Sequence, residues 1–101
     1  MAFTDSVSKD LRLTVYGKKG KSVHDLNRFP CVVGRAEDCD IRIPEPSISG
    51  HHALFSVEND GRVVVSDLGS TNGIYLNRKK VSQRSVHPPM EMRLGNVVVV
   101  V

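Results

Sequence analysis

The sequence predicts an all-β sandwich, and three observations carry that expectation. Apolar and polar residues alternate with a period of two along most of the chain. No segment shows helical period, and turn residues recur about every 8–12 positions. With 101 residues the chain holds one domain with a single modest core. Hydrophobic content of 40% and charged content of 25% are those of an ordinary globular domain, and the absence of Trp leaves the core to aliphatic side chains.

Residues 1–9 form a polar lead-in, expected to be loosely ordered, before a folded domain over residues 10–101. Leu11, Leu13 and Val15 alternate with Arg12, Thr14 and Tyr16, the pattern of a half-buried strand. Gly17-Lys18-Lys19-Gly20 reads as a turn into a second strand over Ser22 to Leu26. Pro30 to Val33 is a short apolar run ending at Gly34, and Ile41 to Ile43 is another with both isoleucines on one side. Pro44 and Pro46 keep the next loop extended.

From His52 to Val57 the alternation sets Ala53, Phe55 and Val57 against His52, Leu54 and Ser56. Asn59-Asp60-Gly61 is a hairpin signal, with Arg62 to Leu68 as the returning strand. Ile74 to Leu76 follows, then a tight turn at Asn77-Arg78 leading into Val81. Met90 to Leu94 and Val97 to Val101 make a last hairpin around Gly95-Asn96. About ten strands result. A chain that stops inside a valine run is expected of a module within a longer protein.

The formal charge of +3 suits an acidic or phosphorylated ligand, and suits an ordinary solvated surface equally well. Neither requires nucleic acid. Cys31 and Cys39 permit one bridge at most, Met1 to Asp10 carry no apolar signal segment, and the terminal valine run falls far short of the roughly 20 residues that span a bilayer. The expected setting is cytoplasmic, or nuclear in a eukaryote, with free thiols and no membrane association.

Three loops carry the chemistry: Gly34-Arg35, Ser49-Gly50-His51-His52 and Asp67 to Gly73. Gly34 turns the chain and sets Arg35 at a loop mouth, where a guanidinium presents a rigid fork of donors to phosphate or carboxylate oxygens. Its bland alternative is a surface salt bridge to Glu37, Asp38 or Asp40. Ser49 can donate a hydroxyl, and His52 can brace its own loop. Adjacent strand residues point to opposite faces, so His51 and His52 are not expected to share a metal, and no cofactor is expected. A Ser49/His52/Asp67 triad lacks a nucleophile elbow and an oxyanion loop. Thr71 and Asn72 can project toward a ligand, or the loop can be a plain connection. Gly17 to Ser22 imitates the end of a P-loop, but two residues stand between its glycines where four are needed, and no helix follows.

In this order and spacing, Gly34-Arg35, Ser49-x-x-His52 and Asp67-x-x-Ser70-Thr71-Asn72-Gly73 resemble the forkhead-associated (FHA) domain. Cys39-Asp40-Ile41-Arg42-Ile43 and Tyr75-Leu76-Asn77 agree as well, and the likeness runs from Leu11 to Val101. It implies a mostly antiparallel sandwich of eleven strands, SMAD/FHA-like, with ligand loops at one end. It also implies recognition of phosphothreonine in a partner protein by a monomeric, non-enzymatic module. Arg35, Ser49 and Thr71 would bind phosphate. Asn72, Gly50 and Ser70 would meet the peptide, and Gly34, His52 and Gly73 would support the loops. Gly50 departs from the family, which commonly has Arg, Lys or Asn there, and Arg78 replaces a common glycine. Losing one charge-assisted hydrogen bond at position 50 could weaken binding about tenfold. That departure keeps open a phosphorylation-independent interaction domain.

Overall fold

A computed structural model describes residues 11–101; the expected lead-in over residues 1–9 lies outside them. Eleven strands form: β1 (Arg12–Gly17), β2 (Gly20–Asp25), β3 (Cys31–Gly34), β4 (Ile41–Arg42), β5 (Ala53–Val57), β6 (Val63–Asp67), β7 (Ile74–Leu76), β8 (Lys79–Val81), β9 (Gln83–Ser85), β10 (Glu91–Leu94) and β11 (Val97–Val100). The described residues contain no helix, and so none that could cross a membrane. One sheet runs β2-β1-β11-β10-β7-β8 and the other β4-β3-β5-β6-β9. All pairs are antiparallel except β3 with β4.

Alternation decides which side chains fill the space between the sheets. Leu13 and Val15 of β1, Met92 and Leu94 of β10, Val97 and Val99 of β11 and Ile74 face Cys31 and Val33 of β3, Ala53 and Phe55 of β5 and Val65 of β6. Phe55 is fully buried, and its burial stabilises the fold by roughly 1.5–3 kcal/mol. The valine run of β11 sends Val97 and Val99 inward and leaves Val98 and Val100 half-buried on the outer face.

Register sets where the loops emerge. Ala53 at the start of β5 pairs with Val33 near the end of β3 and with Asp67 at the end of β6. The segments after β3, before β5 and after β6 therefore leave the five-stranded sheet at one edge. In the other sheet Ile74 pairs with Leu94, and Leu94 with Val97, so the start of β7 and the Gly95-Asn96 turn reach the same end.

Two elements differ from expectation. β9 carries no apolar alternation; it is a polar edge strand held by pairing with β6 alone. β2 covers Gly20–Asp25, not Ser22 to Leu26, because pairing with β1 and not hydrophobicity fixes its limits. Val23 on that edge is 53% exposed, while Leu26 beyond the strand is buried. Asn77 and Arg78 both adopt positive φ, 50° and 70°, so the arginine accepts a conformation that glycine takes more readily.

Candidate functional site

The loops after β3 and before β5 are joined backbone to backbone. The N–H groups of Arg35 and Ala36 donate to the carbonyls of Ser49 and Gly50, at 3.0 and 3.1 Å. Such an approach requires glycine at 34. A β-carbon there would collide with the Gly50 carbonyl oxygen and lie 2.9 Å from Cys39 Sγ. Arg35 Nε donates to the Ile48 carbonyl, 2.9 Å, which anchors the guanidinium one residue before Ser49. Its terminal nitrogens have no partner among the described residues, and no salt bridge to Glu37, Asp38 or Asp40 forms.

The loop after β6 is held by side chains. The Thr71 N–H donates to Ser49 Oγ, 2.9 Å. Since that oxygen accepts, its own hydrogen remains to be given elsewhere. Asn72 Nδ2 donates to the Ser47 carbonyl, 2.9 Å. Its side-chain oxygen and the Thr71 hydroxyl have no partner among the described residues. Ser70, expected to meet the peptide, faces inward instead. Its hydroxyl donates to Asp67 Oδ1 and accepts from the Gly73 N–H at 2.8 Å, so it shapes the loop.

His52 joins the two halves and is fully buried. The Ser49 N–H donates to Nδ1, 3.1 Å, and Nε2 donates to the Gly73 carbonyl, 2.8 Å. These partners fix a neutral imidazole protonated on Nε2. Both nitrogens are engaged with backbone, and Asp67 is bonded to Ser70, so the conceivable triad does not assemble.

Gly50 is open on its side-chain face: a β-carbon would touch nothing nearer than Ala36 Cβ at 3.9 Å. Its carbonyl accepts from the Cys39 thiol, 3.0 Å. Burial and the neighbouring Asp38 hold that thiol above its ordinary pKa, which keeps the donor proton in place. Burial, and then Asp40, push Cys31 up to about 11. His51 is exposed and pairs through Nε2 with Asp38, 2.9 Å. Asp38, Cys39 and His51 thus bring potential ligand atoms within 4.8 Å of one another. Sequence reasoning missed this cluster and the role of Ser47, whose hydroxyl accepts the Asn96 N–H at 2.8 Å. Neither has a signal in residue order.

The family model of the FHA domain matches residues 31–100, and the chain belongs to that family. It is 38% identical over 65 residues to the ABC transporter ATP-binding/permease protein Rv1747 of Mycobacterium tuberculosis, covering 64% of this chain and 7% of that protein. It is 36% identical over 76 residues to FhaB of the same organism, covering 73% of this chain and 48% of that protein. The chain thus spans less than half the length of these relatives. Among solved structures, the FhaA FHA domain complexed with the intracellular domain of Rv3910 superposes with a TM-score of 0.77 at 24% identity, covering 88% of this chain and 96% of that one. FHA domains mediate phosphopeptide-dependent protein–protein interactions, and the family and its structural neighbours are binding modules.

Proposed function

We propose that this rim binds phosphothreonine in a partner protein and does no chemistry on it. One observation supports the reading above the rest: Arg35 is anchored through Nε beside Ser49, and each keeps donors without a protein partner among the described residues. A phosphate at neutral pH carries about −1.5 to −2 charge and three strong acceptor oxygens, which the guanidinium, Ser49 and Thr71 can meet together. Asn72 keeps an acceptor and a second amide hydrogen for an extended backbone, while Gly50 contributes main chain alone. Gly34, His52, Ser70 and Gly73 hold the loops.

The test is calorimetry with a phosphothreonine peptide and its unphosphorylated twin. Arg35→Ala keeps its thermal transition and loses about a hundredfold in affinity, as expected for removing a bidentate charged contact. Equal binding of both peptides by the unaltered domain would overturn the proposal. Gly50 favours a second reading, partner binding without phosphate. An oriented phosphothreonine library that enriches nothing, with partner capture insensitive to phosphatase, would favour it.

A further inference from the structure

The β1–β2 turn, whose lysines imitate a P-loop in the sequence, belongs to the ligand rim. Tyr16 pairs with Val98 and Gly17 with Gly20, so Gly17 to Gly20 lie beside the Gly95-Asn96 turn at the loop end. The Lys18 N–H donates to Glu45 Oε2, 3.1 Å. That carboxylate fills the place where a β-carbon on Gly17 would stand. Glu45 begins a turn closed by the Ile48 N–H on its carbonyl, 3.0 Å, and Ser49 follows directly. Between them Ser47 receives Asn72 on its carbonyl and Asn96 on its hydroxyl. One continuous line of contacts therefore runs from Ser49 past Asn72 and Ser47 to Glu45 and Lys18.

The turn is anchored by main chain, which leaves the Lys18 and Lys19 side chains exposed and without ion pairs among the described residues. A third lysine lies on β8, across the six-stranded sheet from the β1–β2 turn. Lys80 pairs with Tyr75, and its stem runs back over Gly73, with Cε 2.8 Å from where a β-carbon on that glycine would lie. Glu45 offsets one of these three charges. On the other side of the phosphate position, the loop after β3 carries exposed Glu37, Asp38 and Asp40. The rim is polarised, acidic beyond Arg35 and basic beyond Asn72.

We propose that Lys18, Lys19 and Lys80 select partners with acidic residues on the one flank of the phosphothreonine that runs over Asn72. This inference rests on the phosphothreonine reading of the same rim. An extended peptide advances about 3.3 Å per residue, so a few residues carry a flank from Ser49 to the turn. Complementary charge at a rim adds affinity and excludes wrong partners.

The experiment measures affinity for three phosphothreonine peptides: aspartates on one flank, aspartates on the other, and alanines on both. With the unaltered domain, aspartates on one flank tighten binding about threefold to tenfold over alanine, and on the other flank give no gain. A Lys18→Ala, Lys19→Ala, Lys80→Ala variant loses that gain and keeps its affinity for the alanine peptide within about twofold. Lys79→Ala, an exposed lysine next to Lys80 whose side chain leaves the opposite face of β8, retains it. Persistence of the gain in the triple variant, or equal gains on both flanks, overturns the inference. Phosphate-dependent binding with no flank effect sinks this inference alone. Equal affinity for the alanine peptide and its unphosphorylated twin sinks both readings.

Discussion

The two sides of the rim are built on different principles. Between β3 and β5 the loops approach main chain to main chain, with Arg35 and Cys39 side chains adding bonds to the Ile48 and Gly50 carbonyls, and what permits this approach is a missing side chain at Gly34. Between β6 and β7 the loop is tied by side chains: Ser49, Asn72, His52, and Ser70 with Asp67. The spacing of Arg35 and Ser49, the pair proposed to grip phosphate, is thus set largely by main chain. The half that would meet the peptide depends on each of several individual groups. A site can in this way keep a constant anchor while its surroundings vary.

His52 is where the comparison can be broken most severely, because it serves both halves. His52→Ala leaves the Ser49 N–H unpaired, leaves the Gly73 carbonyl only the long bond from the Gly95 N–H at 3.4 Å, and opens a cavity. About 3–5 kcal/mol of stability should be lost, read as a lower midpoint in urea. Loss of under about 1 kcal/mol would show that the halves hold together without it. Gly34→Ala attacks the main-chain side alone. The added carbon meets the Gly50 carbonyl, part of a backbone segment that cannot swing aside, and about 2–3 kcal/mol should be lost. Arg35 and Ser49 should separate, so affinity for phosphopeptide falls with stability. An unaffected affinity would mean that their spacing does not depend on this stitch.

Much of this was legible in residue order, for a local reason. Alternation in β1, β5 and β11 places the core, and Asp60-Gly61 and Asn77-Arg78 mark turns whose φ values need no distant partner to be anticipated. Arg35, Ser49, Thr71 and Asn72 were identifiable by ordered spacing, and the fold does gather them. Contacts that join remote positions were hidden: Asn72 reaches a carbonyl 25 positions away, and Glu45 caps a turn 27 positions away. The bonding of the Ser70 hydroxyl was not legible, because a hydroxyl in a Ser-Thr-Asn-Gly loop carries no mark of its direction. Its inward turn is set by Asp67, three residues earlier. β9 was invisible since a polar edge strand needs no hydrophobic period.

Ser70→Ala sharpens the contrast at smaller cost. The Gly73 N–H loses its acceptor and Asp67 Oδ1 its hydroxyl donor, while Oδ2 keeps the backbone N–H of residue 70, a loss worth about 1–2 kcal/mol. The change should fall on the β6–β7 loop, with amide exchange rising at Thr71 to Gly73 and not at Arg35 or Ala36. Equal loosening on both sides would show that the two halves are one cooperative unit.

The smallest effect on stability, and the most direct use of the comparison, comes at Gly50. Unlike Gly34 it faces open space, with nothing nearer than 3.9 Å to an added β-carbon. Its φ is not in the left-handed region, so a side chain brings no backbone strain. Gly50→Asn should therefore change stability by less than about 0.5 kcal/mol. An amide here stands beside Ser49 and can donate to a phosphate oxygen. One charge-assisted hydrogen bond is worth about 1.5–3 kcal/mol, so affinity for a phosphothreonine peptide should rise about tenfold or more. Binding of the unphosphorylated peptide should stay where it was. A gain shared by both peptides would place the new side chain against the backbone and not the phosphate. No gain, in a variant that keeps its thermal transition, would mean that the phosphate is fully enclosed by the donors of Arg35, Ser49 and Thr71, and that glycine at this position costs the rim nothing.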